Sequence, residues 1–314
     1  MTKYDLWVEK YRPDTLEGYV FKNEKMKNQI EEWVENPRGK TIPFPHLLFS
    51  GKPGTGKTTL ARAICNIMNV DAGDIMYINA SKENNVVTVR EKISDFCSTW
   101  PIGPYKVIIL DEVDGFTQGA QQILRAEMEI HADTVRFILT CNYPNKIIEP
   151  LHSRLQGFHM DELDMESFIM RMVDILEKEN VSFDTNDLMG FINASYPDLR
   201  RCINLMDQHC INGVLSPLTE AVGSSLDYME QAVELFKARK FSDARILITN
   251  RASTSDYEEI YRFLYKNLHL FGESSTAQES AIIIIAKGIR NHGLVADPEI
   301  NLAATIVELS MIDG

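Results

Sequence analysis

The sequence lacks what would mark a secreted, membrane-bound or broadly basic protein. Its five cysteines, Cys65, Cys97, Cys141, Cys202 and Cys210, form no C-x-x-C pair, and none falls with histidines at zinc-ligand spacing. Free, mostly buried thiols in a reducing interior are expected in place of a disulfide framework or a zinc module. Long apolar runs are missing: the longest purely aliphatic stretch, Ile282 to Ile285, falls far short of the ~20 residues that span a bilayer. The opening residues, Met1 to Trp7, carry charge at Lys3 and Asp5, unlike a secretory leader. A soluble, cytoplasmic protein with no membrane partner is expected. An excess of positive charge is also lacking, since 32 Lys and Arg stand against 45 Asp and Glu, a net charge of −13. Such a surface does not attract nucleic acid in general. Any DNA contact must be local, in a small patch or in a cavity assembled from several subunits, and should weaken with salt.

What is present points to nucleotide chemistry. With 314 residues and 44% hydrophobic content, the chain can build about two or three domains with packed cores. Gly51-Lys52-Pro53-Gly54-Thr55-Gly56-Lys57-Thr58 fits G-x-x-x-x-G-K-[ST]. It follows the apolar run His46 to Ser50 and precedes Thr59 to Met68, where Leu60, Ala63, Ile64 and Ile67 recur at helical spacing. Strand, loop and helix in that order form a P-loop, whose backbone N–H groups surround phosphates at the positive end of a helix while glycines allow close approach. Lys57 would reach the β- and γ-phosphates of ATP, and Thr58 would hold Mg²⁺.

Further apolar runs at Ile75–Ile78, Lys106–Leu110 and Arg136–Thr140, with helical segments between them, predict a parallel α/β sheet covered on both faces. The run at 106–110 leads into Asp111-Glu112-Val113-Asp114, so carboxylates emerge at the strand end that faces ligands in such sheets. Asp111 suits Mg²⁺, directly or through water, and Glu112 can orient or deprotonate the water that attacks the γ-phosphate. Asn142 follows the next run on the same edge; it could bond the γ-phosphate or that water, although an Asn after a strand is usually a turn former.

Trp7 to Pro13, the P-loop, Asn79-Ala80-Ser81, Leu110 to Asp114, Ala120 to Arg125, Phe137 to Asn142, Ile147 to Pro150 and Ser153-Arg154 occur in an order that resembles the AAA+ clamp loaders, over nearly all of residues 1–205. The likeness is to the small subunits of replication factor C and to the ATPase subunit of the loader of large tailed bacteriophages. Residues 292–303 lean towards the phage version, which would place the protein in a host cytoplasm. The resemblance implies an ATP hydrolase that assembles with other subunits as a homo- or hetero-oligomer, by analogy a pentamer, and that opens a sliding clamp and places it on primer-template DNA. An AAA+ helicase or branch-migration motor would share the nucleotide machinery, and a non-catalytic structural subunit is a third class.

Residue by residue, the resemblance implies that Val8, Glu9, Lys10, Tyr11 and Arg12, with Val20, line the adenine pocket. Gly54, Thr55, Gly56, Lys57, Thr58 and Thr59 would hold the phosphates. Asn142 matches sensor 1, and Arg200, with Arg201 as the alternative, matches the arginine of sensor 2. Arg154 would reach the ATP site of the neighbouring subunit and act there in trans; the family's following Cys is Leu155 here. DNA contacts are implied at the helix that begins after Asn79-Ala80-Ser81, with Lys82, Thr88 and Arg90 as candidates. Lys82 and Asn84 stand where the family usually has Asp and Arg. Thr117 to Gln122, with Gln118, opens a second approach, and Gln121 and Arg125, four apart on one helix face, could couple DNA contact to Glu112. Phe96 and Trp100, near the end of the helix at 88–99, are candidates for the clamp-facing surface.

From about Asp161 the pattern reads as helices only, at 165–179, 186–194 and 199–212. A hinge is expected at 213–225, followed by three helices carrying Leu226 to Phe236, Tyr257 to Leu264 and Ala281 to Ile289. The expected division is an AAA+ α/β domain at 1–160, a helical lid at 161–222 and a helical collar for oligomerisation at 223–314.

Overall fold

The computed structural model describes residues 6–35, 44–82, 86–218, 227–252, 257–272, 274–292 and 294–312. Two compact units emerge, divided between Ser216 and Pro217. The helices expected as a separate lid belong to the first unit, and the expected hinge runs into 219–226, outside the described residues.

The first unit is built on five parallel strands: β1 (Leu47–Ser50), β2 (Ile75–Asn79), β3 (Lys106–Asp111), β4 (Val135–Cys141) and β5 (Gln156–His159), in the order β2-β3-β4-β1-β5. Adjacent residues of the central strands feed opposite faces. Ile108, Leu110, Phe137 and Leu139 pack with Ile93, Leu124 and Met128 of helices Val86–Ser98 and Gln118–Ile130. Val107, Ile109 and Ile138 pack with Ile30, Leu60 and Ile64 of helices Glu24–Glu35 and Lys57–Ile67. Both faces are covered by helix, which is why these strands read as unbroken apolar runs. β5 was not expected: Gln156-Gly157-Phe158-His159 offers one large apolar side chain, and it pairs only with β1 at the sheet edge.

Three helices close the first unit, Met165–Lys178, Thr185–Ser195 and Leu199–His209, each with an aspartate at its N-cap: Asp164, Asp184 and Asp198 accept N–H bonds from Ser167, Asn186 and Arg201 at 2.8, 2.7 and 2.8 Å. The expectation of helix alone is corrected here. The last helix stops at His209, and Cys210–Ile211 pairs antiparallel with Val214–Leu215 around Asn212 and Gly213, both at positive φ.

The second unit holds five helices among the described residues, Asp227–Lys237, Phe241–Arg251, Tyr257–Lys266, Ser275–His292 and Pro298–Ser310, where three were expected. Leu226 lies outside the described residues. Gly288 lets the last two helices approach: a Cβ there would stand 2.5 Å from Thr305 Oγ1. Ser275–His292 buries Ala277, Ala281, Ile285 and Gly288 along one stripe and leaves Ile283 70% exposed. No helix among the described residues is long and apolar enough to cross a membrane.

Candidate active site

The cleft lies at the carboxyl ends of β1, β3 and β4. The P-loop leaves β1 at Ser50, turns through Gly54 (φ +76°) and Gly56 (φ +89°), and enters its helix at Lys57. Only glycine takes these backbone angles without strain. Thr55 is fully buried and ties the loop by donating to the Lys52 carbonyl at 3.0 Å, so it contributes loop shape, whereas Gly54, Gly56, Lys57, Thr58 and Thr59 line the cleft. Lys57 is only 7% exposed, and its Nζ donates to the Gly51 and Lys52 carbonyls at 2.7 and 2.6 Å. Burial pulls its pKa down, and the neighbouring Cys141, Asp111 and Asp114 oppose that pull. A buried cation held by carbonyl oxygens at a helix N-terminus favours an anion beside it.

Asp111 gathers hydroxyls. Thr58 Oγ1 donates to its Oδ1 at 2.8 Å, Thr140 Oγ1 donates to the same oxygen, and Tyr77 Oη donates to Oδ2 at 2.6 Å. Thr140 also accepts the Glu112 N–H at 3.1 Å, so one hydroxyl positions both acids. Glu112 sits in the left-handed region at φ +58°, a conformation that costs a non-glycine residue about 1–3 kcal/mol. Asp114 accepts the N–H groups of Asn142 and Tyr143, both at 3.3 Å, which fixes the turn that sets Asn142 in the cleft wall.

The donor set fits a hard divalent cation. Thr58 and Asp111 offer adjacent oxygens beside the phosphate cradle, as Mg²⁺ requires when phosphates and water complete its shell. No cluster of three or more His, Cys, Asp or Glu suited to a metal occurs among the described residues.

Val8, Tyr11, Arg12 and Val20 also line the cleft, joined by Arg171 and Ile203. Glu9 and Lys10 do not line it, which corrects that part of the expected adenine wall: Glu9 pairs with Arg12 at 2.8 Å and Lys10 with Glu179 at 2.6 Å. Tyr11 Oη also donates to Glu179, at 2.7 Å, so the N-terminal segment is tied to the later helices of the same unit. Arg200 lines the cleft and Arg201 does not. Arg200 is the second residue of the helix Leu199–His209, whose first N–H, that of Leu199, donates to the Gly54 carbonyl at 3.1 Å.

Arg154 stands apart from its own cleft. Its guanidinium donates to the Pro150 carbonyl at 2.9 Å and pairs with Glu129, which also takes Arg125 at 3.2 Å. Lys82, Arg90 and Gln118 are exposed, while residues 83–85 and the side chain of Thr88 lie outside the described residues. Gln121 and Arg125, expected on one coupling face, each have other partners. Gln121 is 1% exposed, and its amide donates to the Phe116 and Lys146 carbonyls at 3.3 and 3.0 Å and accepts the Ile148 N–H at 2.8 Å. It pins the turn after β4, and Arg125 is spent on Glu129.

Sequence reasoning missed Arg62, Tyr77, Thr140 and Arg171. Thr140 could have been found as a hydroxyl ending a buried strand next to an acidic strand end; the other three have no local signal.

Comparison with known proteins places this geometry. The family model described as "ATPase family associated with various cellular activities (AAA)" matches residues 47–161, which span the P-loop, Asp111 and Asn142. The replication factor C small subunit of Methanococcus maripaludis is 38% identical over 78% of this chain and 78% of its own length. That of Thermofilum pendens is 32% identical over 98% and 97%, and that of Saccharolobus solfataricus 32% over 98% and 94%. These relatives are archaeal, and they lend no support to the leaning of residues 292–303 towards a bacteriophage loader. A solved Thermotoga maritima RuvB variant overlays with a TM-score of 0.57 at 15% identity, covering 73% of this chain and 79% of that one, a likeness of fold. With relatives above 30% identity along nearly its whole length, the chain belongs to the replication factor C small-subunit family of AAA+ proteins.

Proposed function

We propose that this protein is an ATP-hydrolysing subunit of a sliding-clamp loader. The arrangement Thr58–Asp111–Thr140 beside buried Lys57 carries the reading, because it joins a phosphate cradle to a metal-holding pair and an oriented acid. Lys57 and the P-loop N–H groups bind the β- and γ-phosphates, and Arg200 approaches them from the helix Leu199–His209. Thr58 and Asp111 would hold Mg²⁺, which would supply neutralisation of the phosphates' charge. Glu112 orients the attacking water and takes its proton, and Asn142 bonds to the water or the γ-phosphate. Val8, Tyr11, Arg12 and Val20 enclose the adenine.

Arg154 completes the site of a neighbouring copy, where a cationic side chain stabilising the transferring phosphoryl group is worth about 10³ or more in rate. The exposed aliphatic face of Ser275–His292 supports assembly into a ring-like oligomer, by analogy with five subunits. Within that ring, Lys82, Arg90, Thr88 and Gln118 near two helix N-termini contact primer-template DNA, a mode compatible with an acidic chain. Trp100, 91% exposed, faces the clamp. The site of action is the cytoplasm.

The test is ATP turnover with and without primed DNA and the cognate clamp. Turnover raised by both together is expected. Turnover indifferent to the clamp would indicate a translocating motor, and no turnover would indicate a structural subunit.

A further inference from the structure

Tyr77 lies in the edge strand β2, opposite Ile109 and two residues before Asn79, which pairs with Asp111. Side chains two apart on a strand share a face, so Tyr77 and Asp111 are diagonal neighbours. The phenol Oη reaches Asp111 Oδ2 at 2.6 Å, while Thr58 and Thr140 occupy Oδ1. The tyrosine ring is 42% exposed, yet it is not loose. The guanidinium of Arg62 lies 4.9 Å from the ring centroid, and Arg62 follows Thr58 by one turn on the same helix face. One helix therefore supplies the hydroxyl beside Oδ1 and the cation that holds the donor on Oδ2.

This matters because the terminal torsion of an aspartate is soft and nearly two-fold, so the orientation of its carboxylate is set by its hydrogen bonds. With Oδ2 committed to the phenol, Oδ1 stays turned to Thr58.

We propose that Tyr77, braced by Arg62, is a positioning residue that orients Asp111 for divalent-metal binding. The proposal rests on the ATPase reading and deepens it. A hydrogen bond to the distal oxygen of a ligating carboxylate fixes the ligand's direction and tunes its donor strength, and removing such a partner typically costs about 10- to 100-fold in metal affinity.

Tyr77→Phe keeps the ring and its contact with Arg62 and deletes only the hydroxyl. The readout is binding of a fluorescent ATP analogue to the full-length protein, titrated with Mg²⁺ and repeated in excess EDTA. The Mg²⁺ concentration for half-saturation should rise about tenfold, with the affinity in EDTA unchanged. In an Asp111→Asn background the same substitution should add nothing, because the two residues act as one unit. A wild-type Mg²⁺ titration in Tyr77→Phe would overturn the proposal, as would equal weakening with and without the metal, which is the mark of a general structural role. Wild-type protein in the same series tests the parent reading separately: failure to bind the analogue at all would overturn the ATPase assignment itself.

Discussion

Asp198 presses its carboxylate against Gly54, so closely that a Cβ built on Gly54 would stand 1.8 Å from Asp198 Oδ1. The N-cap of the helix carrying Arg200 is thus seated on the phosphate loop in the space that a Cβ at position 54 would fill. Gly54 also holds φ +76°, where a side chain adds about 1–2 kcal/mol of backbone strain. Gly54→Ala should therefore separate Leu199–His209 from the loop and abolish tight ATP binding, while the sheet, whose core lies elsewhere, keeps its cooperative unfolding. Isothermal titration with MgATP and a thermal melt check the two halves of this outcome.

The same carboxylate makes stability depend on pH in a definite direction. Burial raises the pKa of Asp198 above its ordinary 3.8, against the opposing N–H bond from Arg201 and the charges of Arg200 and Arg201. A folded-state pKa above the unfolded one means that the folded protein binds more protons in the window from 3.8 upward. The contribution of Asp198 to unfolding free energy therefore falls as pH rises through that window and is level above it. Asp198→Asn keeps an equally good N-cap and removes the ionisation. The stability of the variant relative to wild type should grow as pH rises from 3.8 through the raised folded-state pKa, and stay level above it. Urea unfolding across that range checks it; a difference that stays constant with pH would contradict it.

Trp100 is held outward by design of the surrounding loop. Asp74, 1% exposed, accepts the N–H groups of Ile102 and Gly103 at 3.0 and 2.6 Å, and buried Lys106 donates to the Phe96 and Thr99 carbonyls, each at 2.7 Å. Phe96 is half-buried against the core. Trp100→Ala should change stability by no more than about 0.5 kcal/mol and reduce clamp-stimulated turnover several-fold. Phe96→Ala should instead lower stability by over about 1 kcal/mol. Denaturation and clamp-dependent ATPase assays distinguish the two; unchanged clamp stimulation in Trp100→Ala would remove Trp100 from the clamp-facing surface.

Much of the first unit was legible in the chain because burial on both faces leaves β1, β3 and β4 as apolar runs, and because Asp111 and Glu112 break such a run at its end. β5 was not, since an edge strand with one neighbour needs little apolar character. Gln121 suggests, through its spacing to Arg125, only a shared helix face that could couple DNA contact to Glu112. Its burial follows from three backbone groups, at Phe116, Lys146 and Ile148, that only tertiary folding brings together. Tyr77 and Arg62 were hidden for a related reason: the meeting of Tyr77 with Asp111 depends on the register of β2 against β3, and that of Arg62 with Tyr77 on the rotation of the helix Lys57–Ile67. Glu9 and Lys10 were carried along with their neighbours in a contiguous motif, although in the helix Trp7–Lys10 successive side chains point in different directions.

The central claim is that each ATP is hydrolysed in a pocket shared by two copies, one giving Lys57 and the acids, the other Arg154. Its most direct test mixes Lys57→Ala protein with Arg154→Ala protein after showing that each is inactive alone, and measures phosphate release as subunits exchange. The account predicts that turnover returns, because some interfaces in the mixed oligomer then pair an intact cradle with an intact arginine. A mixture of demonstrably exchanged subunits that stays as inactive as either parent would contradict it.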